Sequence, residues 1–429
     1  MAYTYKPERT FAAALDHEDP LGTFIDRFYK LPDTIYMDGN SLGLLSRDAE
    51  EALLRVLNEW KHQGIDGWMN ARIPWFRYTE QLAAMQAPMM GARAEEVIIT
   101  SSTTINMHSL IRTLFRPVQG KNKILMDELN FPSDIYAVKA ILSDLGLDPG
   151  THLVLAPSSD GRFLDETELI DRMQDDIALA LFPAVLYRSG QLLDLRRLTR
   201  AAHERDILIG FDCSHSVGAV PHSFDEDDVD FAMWCNYKYM NNGPGGTAGL
   251  YINQRHLPAN PSLAGWWGCD KQRQFDMDLE FLPSGTAGAF QTGTPHLFST
   301  APLEGSLRIY QEAGIERLRD KSIRLTNYLI YLMDTLLPEE KSGFRVGSPR
   351  EEHRRGGHVA VEHEEAVRIN EALKHRGVLP DFRYPNVIRL APVPLYTRFT
   401  EVWDTVEYLK KIIENGEYRN YSKKRGDVA

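Results

Sequence analysis

The chain has 429 residues, 43% of them hydrophobic and 25% charged, the balance of a globular protein rather than a disordered or collagen-like one. At about 150 residues per domain this length corresponds to two or three domains. The 48 basic residues face 60 acidic ones, a formal charge of −12, which argues against a chain organised around a basic face for nucleic-acid phosphates.

Residues 49–62 (AEEALLRVLNEWKH) place Leu53, Leu54, Leu57 and Trp60 at helical spacing, the pattern of an ordinary packing helix. From about 90 to 255 the texture changes to short apolar runs, EVIIT, KILMD, ALALF, ILIGFD, VDFAMWC and AGLYI, which suit strands of a mostly parallel sheet covered by helices. Helical patterns at 105–115, 133–145 and 194–205 alternate with them, the order of an α/β domain. Residues 301–337 keep helical periodicity at length, and a smaller α+β domain is expected from there on. Its strands are HVAVEH (358–363) and NVIRLA (386–391), with a helix between them. The expected division is an N-terminal segment, 1–69, packing on the small domain, a large α/β domain, 70–300, and a small domain, 301–429. The tail 420–429 is polar and expected to fray.

Cys213, Cys235 and Cys269 are odd in number and lack CxxC spacing, so neither a disulfide framework nor a zinc ribbon is expected, and a reducing, cytoplasmic setting fits. The first twenty residues scatter charges through any apolar run, and the longest apolar stretch, 177–187, is too short to span a bilayer. No signal peptide and no membrane partner are expected.

Three of the apolar runs end in residues that could carry chemistry. ILIGFD ends in Asp212, which places a carboxylate at the carboxyl edge of the sheet, where open α/β sheets bind ligands; a turn or cap role is the plainer alternative. VDFAMWC leads into Asn236-Tyr237-Lys238, a lysine at the same edge that desolvation could prepare for imine formation, although most lysines are simply solvated. EVIIT feeds SSTTINMHSLIRTLF, a helix opened by Ser101 to Thr104 with no acidic residue. Such a start suits a phosphate as well as an ordinary cap. The glycine run 243–249 leads into a strand rather than a helix and lacks a P-loop lysine, so nucleotide binding is not indicated. Neither Asp212-Cys213-Ser214-His215 nor His353, His358 and His363 has metal-ligand spacing, and the alternation of HVAVEH reads as exposed strand positions; no metal is expected. Phosphate-binding helix start, strand-end carboxylate and a lysine 26 residues later together meet the needs of pyridoxal phosphate.

At this point the sequence resembles the kynureninases, within the fold-type I pyridoxal-phosphate enzymes, through YMDGNSLGLL (36–45), FPSD (131–134), GFDCSHSVG (210–218), CNYKYMNNGPGG (235–246), GWWG (265–268) and RLAPVPLY (389–396). The resemblance implies a homodimer with shared active sites that hydrolyses L-kynurenine to anthranilate and L-alanine. It implies that Lys238 binds the cofactor aldehyde and removes the substrate α-proton, that Asp212 pairs with the pyridinium nitrogen, and that Tyr237 serves as general acid/base. Phe131 would stack on the ring beside Pro132, Ser133 and Asp134, and His215 would lie near it. Thr103, Thr104 and Tyr237 would contact the phosphate, joined by Trp266 and Thr294 from the partner subunit. Ser41 would line the substrate site and Arg389 would clamp the α-carboxylate, a role suited to a planar bidentate donor.

Relatives that favour 3-hydroxykynurenine tend to carry a histidine in the loop that here reads GIDGWMNARIPW, and a Ser-Asn pair where this chain has Gly293-Thr294. Trp68 at that position predicts a preference for unsubstituted kynurenine. The nearest alternatives are a cysteine desulfurase-like lyase or an aminotransferase of the same fold. A non-catalytic binding protein is the alternative from another class, but it would have no need of Arg389 or of the phenol beside the lysine.

Overall fold

The computed structural model describes residues 4–424; the first three residues and the last five of the polar tail lie outside the described residues. In chain order the strands are β1 (Ile35–Tyr36), β2 (Val97–Ile99), β3 (Lys123–Asp127), β4 (Leu153–Ala156), β5 (Ile177–Pro183), β6 (Leu208–Asp212), β7 (Phe231–Trp234), β8 (Gly249–Ile252), β9 (Arg345–Val346), β10 (Val359–Glu362), β11 (Val378–Leu379), β12 (Asp381–Arg383) and β13 (Val387–Leu390). Seven of them form one sheet in the order β2-β8-β7-β6-β5-β3-β4, parallel except for β8, which runs antiparallel to both β2 and β7. A four-stranded antiparallel sheet, β12-β13-β10-β9, forms the smaller unit, and β1 pairs with β11.

The central strands β6, β7 and β8 are buried almost throughout, as continuous apolar runs require when both faces are covered. Helix Leu195–His203 packs on β6, and helix Thr103–Leu114 packs on β7 and β8. Among the strands not expected from sequence are β4 and β12. β4 is a half-exposed edge strand, and β12 is only Asp-Phe-Arg, a three-residue strand framed by charge. The long periodic stretch 301–337 is two helices, Leu297–Ala313 and Ile315–Leu336, separated by Gly314 at φ +78°. Glycine reaches that region without a Cβ penalty, and the helix therefore breaks there.

Three further expectations change. Residues 4–69 do not pack as one unit on the smaller core. Ala12 and Leu15 join it, but Leu21, Phe24 and Phe28 belong to the larger core, and helix Arg47–Gln63 packs on helix Leu297–Ala313. That second helix is itself part of the larger core through Ala301, Leu303 and Leu307. Helix Arg47–Gln63 also turns its stripe the other way. Its buried face is Ala49, Ala52, Val56 and Glu59, while Leu54, Leu57 and Trp60 are 54%, 45% and 58% exposed. Finally, His358 is fully buried rather than exposed; it leads directly into β10, which is interior in its sheet and buried on both faces. Among the described residues no helix is long and apolar enough to cross a membrane, and no group of three or more His, Cys, Asp or Glu side chains could hold a metal ion.

At the amino edge of the large sheet, buried Asp230 ties three elements together. It accepts from His203 Nε2 at 2.9 Å, His256 Nε2 at 2.7 Å and the Ile209 N–H of β6 at 2.8 Å. Burial pushes this carboxyl up, but hydrogen bonds from His203, His256 and Ile209 together bring it down to about 2. A depressed carboxyl contributes stability that is full above its unfolded value of about 4 and is lost as pH falls through the folded value. Asp230→Asn is expected to lower unfolding stability at neutral pH by ~2–4 kcal/mol. Urea titrations should show this gap narrowing as pH falls from about 4.

Candidate active site

The parallel register sets the strand ends level. Pro183 of β5 lies opposite Asp212 of β6, and Asp212 lies opposite Met233 of β7. The segments that leave these ends, together with those after β2 and β3, wall a cavity of about 300 Å³. Ser102, Thr103 and Thr104 line it from the start of helix Thr103–Leu114, whose first turn holds no acidic residue. Ser102 caps that helix, its Oγ accepting from the Ile105 N–H at 3.5 Å. Phe131, Ser133 and Asp134 enter from the start of helix Pro132–Asp144, with Thr104 Oγ1 3.2 Å from Ser133 Oγ.

The turn after β7 carries Lys238. Asn236 holds this turn by accepting from Trp234 Nε1 at 3.0 Å and Gln86 Nε2 at 2.9 Å and by donating to the Thr247 carbonyl at 2.9 Å. The Lys238 ammonium donates to His215 Nε2 at 3.1 Å and sits 6.0 Å from the centre of the Phe131 ring. Burial, then Lys238 and Arg389, hold His215 well below its ordinary value. The imidazole is therefore neutral, and its Nε2 can accept from the ammonium. Behind it, burial and Arg389 bring His358 down to about 3, and the two imidazoles meet edge to face with centroids 5.9 Å apart.

Asp212 Oδ1 accepts from the Ser214 N–H at 2.8 Å. Asp134 lies beside Asp212, and burial together with that neighbouring carboxylate pushes Asp134 well above the carboxylate range. Asp134 thus keeps a proton to share with Asp212. Burial and the Cys235 thiol raise the Tyr237 phenol, so it stays a proton donor near neutrality. Cys235 Sγ itself lies 3.0 Å from Thr103 Oγ1 and accepts from Ser214 Oγ at 3.4 Å.

The opposite wall comes from the small domain. Asp381 of β12 is the cross-strand partner of Arg389 of β13, and opposite charges placed so attract. Arg389 is 1% exposed; it donates to Asp381, to Ser41 Oγ at 2.9 Å and to the Tyr187 carbonyl at 2.6 Å. The N-terminal segment is seated here by close approach. Gly43 N–H donates to the Tyr237 carbonyl at 2.9 Å, and a Cβ on Gly43 would lie 2.5 Å from the Lys238 carbonyl oxygen.

Of the residues expected from sequence, Ser41, Thr103, Thr104, Phe131, Ser133, Asp134, Asp212, His215, Tyr237, Lys238 and Arg389 line this one cavity. Pro132 does not; it is exposed and opens its helix at the first position. Trp68, Trp266 and Thr294 also lie outside the cavity. Trp68 packs on Trp75 and Trp267 with ring centroids 5.7 and 5.3 Å away, Trp266 is 44% exposed, and Thr294 is on an exposed loop. Sequence reasoning missed Asn40, Tyr187, Cys235 and Arg383, which also line the cavity. Asn40 and Cys235 stood inside quoted motifs beside expected residues. Arg383 gave no signal because its strand is three residues long.

The donor set fits pyridoxal phosphate. An anion-binding helix start, a strand-end carboxylate backed by a protonated one, an amine, and the half-exposed face of Phe131 converge on one cavity.

Comparison with known proteins agrees. A kynureninase C-terminal domain model matches residues 318–409. The kynureninase of Geobacillus thermodenitrificans is 56% identical over 424 residues, 99% of each chain. That of Bacillus thuringiensis subsp. konkukian is 53% identical over 425 residues, again 99% of each. The chain belongs to the kynureninase family. Its fold is that of the fold-type I pyridoxal-phosphate enzymes. A C-DES variant with glycine covalently linked to its PLP cofactor superposes with a TM-score of 0.77 at 18% identity, over 90% of this chain and 98% of that one. A cysteine desulfurase from Thermococcus onnurineus NA1 gives 0.75 at 18% identity, over 97% and 100%. In this kynureninase-family chain Gly43→Ala would force the N-terminal segment off the lysine turn. The expected loss is ~1–3 kcal/mol, and an unchanged urea midpoint would show that the contact carries no weight.

Proposed function

We propose that this chain hydrolyses the Cβ–Cγ bond of L-kynurenine, releasing anthranilate and L-alanine, with pyridoxal 5′-phosphate as cofactor and 3-hydroxykynurenine as the poorer substrate. The observation that carries the reading is the convergence of Lys238, Asp212, the hydroxyl-rich helix start and Arg389 on one cavity, in a chain 56% identical to a kynureninase.

When bound, the cofactor supplies an aldehyde that condenses with amines and a cationic ring that accepts the electron pair released at the substrate α-carbon. The protein supplies the rest. Backbone N–H groups and the hydroxyls of Ser102, Thr103 and Thr104 hold the phosphate. Asp212 holds the proton on the ring nitrogen, and Asp134, itself protonated, steadies that carboxylate. Phe131 offers a flat wall for the ring. Lys238 Nζ moves the α-proton, its direction fixed by the bond to His215 Nε2. Tyr237, kept as a phenol by burial, donates at the γ-carbonyl oxygen while the water that adds to the γ-carbon returns a proton to it; as the hydrate breaks its Cβ–Cγ bond to leave the aryl acid, Tyr237 donates at the β-carbon and takes up the hydrate's hydroxyl proton. Arg389 and Ser41 receive the α-carboxylate.

Two copies complete the site in this reading. The outward side chains Leu54, Leu57, Trp60, Ile65, Met69, Phe275 and Phe298 form apolar surface of the kind that marks association. Pairing through it would bring Trp68, Trp266 and Thr294 to the cavity of the second copy. Trp68 then offers an apolar indole wall with no acceptor for a ring hydroxyl, which favours unsubstituted kynurenine. The desulfurase alternative loses ground because Cys213 and Cys235 are buried and Cys269 does not line the cavity. The free, largely buried thiols support a reducing, cytoplasmic setting.

The test is anthranilate fluorescence after L-kynurenine meets the protein with pyridoxal phosphate. Wild type is expected to release anthranilate and Lys238→Ala to be silent; a silent wild type with intact cofactor absorbance would redirect the reading to other fold-type I chemistry. Trp68→His is expected to shift the ratio of kcat/KM values toward 3-hydroxykynurenine by roughly tenfold, the scale of one hydrogen bond to a buried group. An unchanged ratio removes Trp68 from the preference.

A further inference from the structure

Counting hydrogen bonds at Arg389 shows that it cannot grip a carboxylate at two points. A guanidinium has five N–H bonds. Nε and Nη2 face Asp381, Nη2 also donates to Ser41 Oγ at 2.9 Å, and Nη1 donates to the Tyr187 carbonyl at 2.6 Å. One Nη1–H remains for a carboxylate that has two oxygens. Arg389 is also too deeply packed, at 1% exposure, to turn without breaking these bonds.

Arg383 has the donors that Arg389 lacks. It is two residues from Asp381 along β12, so the two side chains share a face of that strand. Its Nε donates to Asp381 Oδ2 at 2.9 Å, and among the described residues no partner is found for its Nη groups. The side chain keeps 30% exposure and lines the same cavity as Arg389 and Lys238.

We propose that Arg383 is a further substrate-binding residue, donating through its Nη groups to the carboxylate oxygen that Arg389 leaves unbonded. Asp381, bonded to both guanidiniums, is the positioning residue that sets their spacing. The proposal rests on the functional reading above and deepens it: the substrate acid is held by a clamp split between two arginines, not by one bidentate arginine.

The test uses holoenzyme and calorimetry with two analogues, one without the amine that the cofactor takes and one without the carboxylate, and any anthranilate released from the second is measured beside its binding. The desamino analogue of kynurenine keeps the carboxylate and aryl ketone; the decarboxylated analogue keeps the ketone and amine. Arg383→Gln is expected to weaken the desamino analogue roughly 10- to 100-fold, the scale of a charge-assisted hydrogen bond, and to leave the decarboxylated analogue unchanged. KM for kynurenine should rise by a similar factor, with kcat changed far less. Arg383→Lys, which keeps the charge next to Asp381, should recover part of the affinity. Equal weakening of both analogues would mean a structural role and overturns the proposal. So does no weakening of either, the result expected if the buried amide of Asn40 serves the second oxygen. Anthranilate release by wild type shows separately that the functional reading stands, so indifference of Arg383→Gln in an active enzyme sinks the clamp alone; a wild type that neither releases anthranilate nor binds the desamino analogue sinks both.

Discussion

Everything at the site depends on the level register of parallel strands β5, β6 and β7. Because neighbouring strands run the same way, their carboxyl ends stop at one edge, and each chain segment that leaves that edge must cross the same ground before its helix begins. Pro183, Asp212 and Met233 stand side by side there. Residues more than 50 positions apart in sequence, such as Asp134, Tyr187 and Lys238, thereby face one another across a cavity of about 300 Å³. A one-residue slip of β6 against its neighbours would turn Asp212 to the other face of the sheet.

Burial then sorts the charges. His215 and His358 are neutral because desolvation and nearby cations disfavour their charged forms, and Asp134 keeps its proton because it is buried and a second carboxylate adjoins it. The cavity therefore offers formal positive charge mainly through Lys238, Arg383 and Arg389, with Asp212 and Asp381 opposing them, and neutral hydrogen-bonding groups between. Asp38, beside this cluster, is raised to about 6 by burial and by Asp381. Such an arrangement suits a zwitterionic ligand held at one end by its acid and worked on at the other.

The site draws on two sheets and the segment between them. The small domain contributes Arg389 and Arg383 from β13 and β12, while the large sheet contributes Lys238 and Asp212. The N-terminal segment bridges them. Ser41 touches Arg389, and Gly43 touches the lysine turn. The tight spacing at Gly43 requires a residue without a side chain, which gives a physical reason for glycine at this point of GNSLG.

Apolar runs ending in Asp212 and before Lys238 were enough to read the parallel sheet and the chemistry at its edge, because strand periodicity and strand ends are local properties. The hydroxyl-rich start of helix Thr103–Leu114 was legible for the same reason. The direction in which helix Arg47–Gln63 turns its stripe was not, since Leu54 and Trp60 have the same spacing whether they face a core or the outside. His358 looked exposed because alternation describes one covered face, and β10 is covered on both. The break at Gly314 depended on a backbone angle, not on composition. Arg383 and its shared partner Asp381 were invisible because their strand is too short to show a period, and only its pairing with β13 sets Asp381 opposite Arg389. Local pattern thus determined most of the elements and the groups that would meet the cofactor, Asp212, Lys238 and the hydroxyl-rich helix start, whereas cross-strand register and the burial of each face, which depend on contacts distant in sequence, decided how the charges meet.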